Sequence, residues 1–344
     1  MRTNEPETRG RTHRFEQAQS LVERARQEAV PGRAIEHYEE ALELLEKDGP
    51  QALMADILRW MGTVYRELGD SVEAELLYTR SLRMAEAVSA VGSQAHGFNC
   101  LALMAQRRAQ TEVAGGLYRR AARLAELAQD LRLKGMIEQN LGVMASIRGD
   151  LAGALVSYQD SLSAFERADD EEGMSWVLNN MGILHTTLDQ TDEADRVLKL
   201  GLELARRRSD PYMESLLLIN QAALAIQSGA VDAAAEALER AEGIADLRDD
   251  KVRRAEVLKL RGVIQRANGE GREAVATLDD AHDLAVEVGD TLLAAEVMRE
   301  LGDTWSQIGN AERATGLWEQ ARGYFRELGA LVDLVDIESR LRVA

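Results

Sequence analysis

Between residues 51 and 90 the apolar positions fall into two stripes separated by a short break. Met54, Leu58, Met61, Val64 and Tyr65 form the first, and Ala74, Leu77, Tyr78, Ser81, Leu82 and Ala85 the second. These i, i+3, i+4 and i+7 spacings are those of helices that bury one face. The break is Gly69-Asp70. Glycine supplies the φ > 0 conformation that ends a helix, and a following Asp or Ser accepts the free amides that open the next. The segment therefore predicts a helix, a tight turn and a second helix.

The same unit recurs every 40 residues. Ala34, Ala74, Ala114, Ala154, Ala194, Ala234, Ala274 and Ala314 are in step without an insertion or deletion. The break returns at Gly149, Gly229, Gly269 and Gly309, with Asp189 and Ala109 in the other two slots. A small residue inside the first helix recurs as Gly62, Ala102, Gly142, Gly182, Ala222, Gly262 and Gly302. Glycine within a helix costs roughly 1 kcal/mol relative to alanine, so this phase predicts close approach of the second helix. That helix carries Tyr38, Tyr78, Tyr118, Tyr158, Leu198, Leu238, Leu278 and Trp318, each followed three positions later by Ala, Ser or Gly. Large residues are thus set against small ones eight times over. A period of this length predicts one elongated array in which each unit contacts only its neighbours.

Residues 1–13 are polar and aperiodic, predicting a disordered tail, and residues 14–330 hold eight repeats, the first with Val22 in place of the small residue. Residues 331–344 continue in the phase of a ninth first helix, with Leu331, Leu334, Val335 and Leu341 as its apolar stripe, and predict a solvating cap.

Composition narrows the class. Four prolines and 4% aromatic residues among abundant Ala, Leu, Glu and Arg are those of an all-α chain. A net charge of −18 repels phosphate backbones and anionic lipid surfaces, so neither nucleic acid nor membrane is expected as a partner. Apolar runs such as Leu216 to Ile219 fall far short of the ~20 residues that span a bilayer. One cysteine, Cys100, permits no internal disulfide, and the first residues carry arginines without an apolar stretch of signal-peptide length. The expected location is the cytoplasm.

The succession of Gly or Ala, turn, Ala, large residue and small residue resembles the tetratricopeptide repeat family over residues 14–344. At 40 residues per unit it is similar to the long-helix subgroup of kinesin light chains and bacterial peptide-sensing regulators. The resemblance implies an α-solenoid of about eight helix-turn-helix repeats in a right-handed superhelix, with ligands held on a concave surface lined by first helices.

Placed on that frame, three consecutive repeats offer eighteen groove positions, among them Met136, Gln139, Asn140, Val143, Trp176, Asn179, Asn180, Ile183 and Asn220. None is charged, against about five expected from a chain with 29% charged residues. Charge returns on both flanks, with Arg59 and Arg107 before the neutral stretch and Glu256, Lys259, Arg266, Arg299, Glu300 and Asp303 after it; Asn99 occupies the phase of Arg59. Asn140, Asn180 and Asn220 stand one per repeat, each able to donate to and accept from a peptide amide. The stretch Leu178-Asn179-Asn180-Met181-Gly182 is similar to kinesin-light-chain-like first helices, which implies that these asparagines grip an extended peptide. The alternative is that they bond neighbouring helices, since a buried asparagine needs some partner. Trp176, one turn earlier, either anchors an apolar ligand side chain or packs on the next repeat.

Catalytic chemistry finds little support. His96 and Cys100 share a helical face, but two ligands fall short of a metal site. The glycines are accounted for by the repeat phase, leaving no phosphate loop, and acidic pairs such as Asp249-Asp250 fall at solvated joints. Neither an enzyme nor a cofactor is expected. The sequence predicts an interaction scaffold that binds a protein or peptide, the alternatives being the sensory module of a bacterial regulator and a self-assembling scaffold.

Overall fold

A computed structural model describes residues 5–108 and 110–343, the side chains of residues 5–9 and 343 excepted. The described residues form seventeen helices and no strand. They divide into two compact units, residues 1–137 and 138–344. The first holds α1 (Glu5–Gln27), α2 (Pro31–Leu45), α3 (Gln51–Glu67), α4 (Ser71–Ala87), α5 (Val91–Arg107) and α6 (Thr111–Leu127). Helix α7 (Leu131–Ile147) spans the division. The second unit continues with α8 (Leu151–Arg167), α9 (Glu171–Thr187), α10 (Thr191–Arg207), α11 (Pro211–Gln227), α12 (Val231–Leu247), α13 (Lys251–Ala267), α14 (Gly271–Glu287), α15 (Thr291–Gln307), α16 (Ala311–Leu328) and α17 (Leu331–Val343).

From α3 to α15 every helix has 17 residues, so joints recur every 20. One joint geometry serves them. In the α3–α4 turn the Asp70 amide donates to the Tyr65 carbonyl at 2.9 Å and Gly69 to Arg66 at 3.1 Å, which closes the helix with a left-handed residue. The Asp70 carboxylate then accepts the Glu73 amide at 3.0 Å and opens the next helix. Asp130, Asp150, Asp170, Asp210, Asp250, Asp290 and Asn310 repeat that cap. Left-handed backbone is not confined to glycine. Ser89, Gln129, Asp169, Asp189, Ser209 and Asp249 adopt it with φ between 51° and 56°. Ala109, in the remaining turn slot, lies outside the described residues.

Packing follows the large-against-small phases. Tyr78, Tyr118, Leu198, Leu278, Ala121 and Ala281 are all fully buried. A Cβ on Gly62 would stand 2.8 Å from the Tyr78 ring, and on Gly142 or Gly302 2.5 Å from the rings of Tyr158 or Trp318. These glycines are where first and second helices touch. First helices also meet the next first helix, as in α3 with α5, α9 with α11, α11 with α13 and α13 with α15, whereas second helices do not approach one another as closely. Within each unit the first helices therefore line the inner face of the stack.

Both ends differ from expectation. Helix α1 begins at Glu5, so residues 5–13 are helical rather than a loose tail; the stretch lacks an apolar stripe but holds the helix formers Glu5, Glu7, Arg9 and Arg11, with Pro6 in the first turn where a missing amide costs nothing. Residues 1–4 lie outside the described residues. In α17 Ile337 is buried and Leu334 and Leu341 are half-buried, packed beside Trp318 and Phe325. Val335 is 70% exposed; its phase packs on a second helix in earlier repeats, and among the described residues it meets no such helix.

Candidate functional site

In the second unit the inner face runs from the end of α7 through α9 and α11 to α13, α15 and α17. Its first part is neutral. Gln139, Asn140, Val143, Asn180 and Asn220 are half-buried there and Ile183 is exposed. Asn220 Nδ2 donates to Asn179 Oδ1 at 2.7 Å, tying α11 to α9 one repeat apart. Asn179 is only 3% exposed, so this pair belongs to the framework and Asn179 is withdrawn from any ligand. Gln139, Asn140 and Asn180 make no hydrogen bond among the described residues. The sequence-predicted ladder thus separates into amides bonded within the array and amides left open to solvent.

Trp176 is half-buried and packs on the next repeat. Its ring centroid lies 5.9 Å from that of Tyr212, at 44°. Arg253 continues the row from α13, with its guanidinium 5.2 Å from the Tyr212 centroid and Nη2 donating to the Tyr212 hydroxyl at 2.9 Å. Tyr212 and Arg253 escape the sequence reading because they lie a turn before the phases assigned to the groove. Their offset of 41 residues, shared by Asn179 and Asn220, is the signal that marks them. Gln227 adds a further strap to the Thr186 carbonyl at 3.2 Å, again 41 residues apart.

Beyond α11 the face becomes an ion-pair ladder. Arg253 pairs with Glu256 and Lys259 with Glu296, a residue that the sequence reading also missed. Arg266 reaches Glu300 at 2.8 Å, Arg299 reaches Asp333 at 2.8 Å, and Arg340 holds Asp303 at 2.8 Å. Burial pushes the Glu300 carboxyl up, but Arg266 and Arg299 outweigh it and hold it below the usual carboxylate value. For Glu256 burial prevails over Arg253 and Lys259, and its value is raised. The predicted flank of charge is therefore spent largely on its neighbours.

The first unit holds the remaining candidates. Arg59 is half-buried, 3.4 Å from Asp56 and with its guanidinium 5.3 Å from the Trp60 ring centroid. Asn99 occupies the same phase on α5; its Oδ1 and Arg59 Nε are buried without a hydrogen-bond partner among the described residues. Arg107 and Met136 are exposed. His96 meets Asp130 at 3.2 Å, and burial, reinforced by Arg59, pushes the imidazole below its ordinary value against the pull of Asp130. Cys100 is kept as a thiol by burial. Among the described residues no three His, Cys, Asp or Glu side chains are placed to hold a metal, and no helix is long and apolar enough to cross a membrane.

Residues 31–87 match the family model described as tetratricopeptide repeat. The helix pairs that follow it repeat its geometry, with one small first-helix residue under one large second-helix residue. Residues 31–87 thus form a tetratricopeptide repeat segment. No curated protein sequence matches it significantly. Among solved structures, the chain is similar to the apo quorum sensor NprR from B. thuringiensis, with 14% identity, 92% of this chain and 87% of that one covered, and a TM-score of 0.70. It is similar to a Rap protein complexed with Competence and Sporulation Factor, with 13% identity, 96% and 98% covered and a TM-score of 0.62. BtubC (BKLC) from P. vanneervenii shares 19% identity over 67% of this chain and 92% of its own, with a TM-score of 0.55. At these identities the likeness is one of fold.

Proposed function

We propose that this chain is a cytoplasmic, non-catalytic binding module that holds an extended segment of a partner protein or peptide on the neutral first-helix face of its second unit. The observation that carries this reading is that the side chains of Asn140 and Asn180 are half-exposed and bond nothing among the described residues. Asparagine is a poor helix former, and nothing among the described residues bonds these two, whereas Asn179 and Asn220 bond each other. Half-exposed carboxamides on successive first helices each offer a donor and an acceptor to a backbone amide, a grip that does not depend on the ligand's side chains. Ile183 and Val143 beside them supply apolar contact. Trp176 shapes the wall through Tyr212 instead of anchoring a ligand directly.

A second reading, in which binding is a regulatory input, draws support from two of the similar folds, one a quorum sensor and one a complex with a sporulation factor. The test is affinity capture from the source lysate with wild type and an Asn140→Ala, Asn180→Ala variant, followed by titration of the identified prey. A prey that loses at least about tenfold in affinity, roughly 1.4 kcal/mol, supports the groove. Equal binding by both proteins moves the working surface elsewhere. Compaction of the complex in small-angle scattering favours the regulatory reading over passive holding.

A further inference from the structure

The net charge of −18 is divided unequally. Residues 1–137 carry 20 acidic and 19 basic side chains, and residues 138–344 carry 39 and 22. The first unit is therefore close to neutral, at −1, while the second stands at −17.

Within the near-neutral unit five of the 19 basic residues lie on the outer face of two second helices. On α4 the exposed stripe is Val72, Leu76, Arg80 and Arg83; on α6 it is Val113, Arg119, Arg120, Arg123 and Leu127. The two outer faces are neighbours one repeat apart, since Arg120 on α6 reaches Glu86 on α4 at 3.5 Å. Arg120 also lies over the Phe98 ring at 4.1 Å and is committed there. Arg80, Arg83, Arg119 and Arg123 have no ion pair among the described residues. Most arginines of the inner face are paired, so four unpaired guanidiniums beside exposed Val72 and Leu127 set this surface apart.

The complement is at the same phase of the repeat. The positions held by Arg119, Arg120 and Arg123 on α6 are occupied by Asp279, Asp280 and Asp283 on α14, four repeats on. These carboxylates are exposed, and Asp279 and Asp280 have no cationic partner within bonding distance among the described residues. Val286, exposed on the same helix, matches the apolar contribution of the first face. One helix face thus appears twice in the chain with its charge inverted.

We infer that the outer face of α4 and α6 docks the outer face of α14 of a second copy, giving a contact in which Arg80, Arg83, Arg119 and Arg123 meet Asp279, Asp280 and Asp283. Guanidinium and carboxylate pair bidentately, and the flanking valines and leucines exclude water from the rim. Net charge does not forbid the contact. At physiological salt the screening length is about 8 Å, so the facing patches decide the interaction and distant charges contribute little. The pairing is heterologous, joining unlike surfaces of identical chains.

The experiment is sedimentation equilibrium on the full chain, with two charge-reversed variants. In one, Arg80, Arg83, Arg119 and Arg123 become Glu; in the other, Asp279, Asp280 and Asp283 become Arg. All seven positions are exposed, and circular dichroism verifies that helix content is unchanged. Wild type associates with rising concentration, and association weakens at least about tenfold between low and high salt. Each variant alone associates at least about 100-fold more weakly, and an equimolar mixture regains the wild-type affinity to within about tenfold. A wild type of monomer mass at every concentration overturns the proposal, as does a variant that associates like wild type or a mixture that stays monomeric. A monomeric chain whose arginine face instead captures an acidic peptide would assign that face to another partner and equally overturn the second copy.

Discussion

Asn220 on α11 and Asn179 on α9 are joined side chain to side chain at 2.7 Å across two successive repeats, with Asn179 closed off from solvent. Asn180, the next residue along α9, has no such partner. Truncating Asn220 strands a buried carbonyl, which costs about 1–3 kcal/mol. Asn220→Ala is therefore expected to lower the denaturation midpoint clearly, and Asn180→Ala to leave it within about 0.5 kcal/mol of wild type. Chemical denaturation of the two single variants checks this. Equal losses would show that the hydrogen bond is not what distinguishes them.

Gly302→Ala places a methyl 2.5 Å from the Trp318 ring, and that ring cannot retreat freely because Nε1 donates to Asp303 at 3.0 Å. A loss of about 1–3 kcal/mol is expected from overpacking. Gly243, in the interior of α12, has no neighbour within 4 Å of a new Cβ. There the same substitution should stabilise by about 1 kcal/mol through helix propensity alone. Thermal melts of the pair should move in opposite directions.

Ser209 ends α10 with φ at 54°, a conformation that costs a side-chain-bearing residue about 1 kcal/mol or more, while Gly229 ends α11 at 76°. Ser209→Gly is expected to gain about 0.5–1 kcal/mol and Gly229→Ala to lose a similar amount or more. Melting midpoints read the sign directly.

Glu300 accepts from Arg266 at 2.8 Å and stands 3.4 Å from Arg299. Its folded-state carboxyl lies below the ordinary value despite the opposing effect of burial. A depressed carboxyl contributes stability that is present above its unfolded value and lost as pH falls through the folded one. Glu300→Gln is expected to cost about 3 kcal/mol at neutral pH by leaving two cations without their shared anion. It should also flatten the decline of stability below the ordinary carboxylate range. Urea midpoints across an acid pH series measure both effects.

Much of the fold was legible because its steric demands are strict. Beneath Tyr78 and Tyr158 there is no room even for a Cβ, so the phase of the small residue survives in the sequence wherever the helices touch. The joints were half legible. Glycine announces a left-handed residue, whereas Gln129 or Ser209 adopts the same backbone because the two helices around it demand it. The neutral band was visible as an absence of charge at fixed phases. The division between free and bonded asparagines was not, because it depends on how far one first helix slides along the next, and the 41-residue offset appears only once the helices are packed. Val335 illustrates the reverse error: an apolar stripe inferred from its own helix placed it inward, but burial at that phase depends on a second helix that it does not meet among the described residues.

The 20-residue spacing of the joints also bears on how such a chain changes over generations. Every helix from α3 to α15 has the same length, and the ends meet in one backbone geometry. Duplication or loss of 40 residues by unequal exchange would consequently leave no seam, whereas a shift of 20 would put an outer helix where an inner one belongs. Array length can therefore drift under weak selection, while the order of the copies, which sets where neutral amides, ion pairs and unpaired arginines fall, is what selection has to preserve.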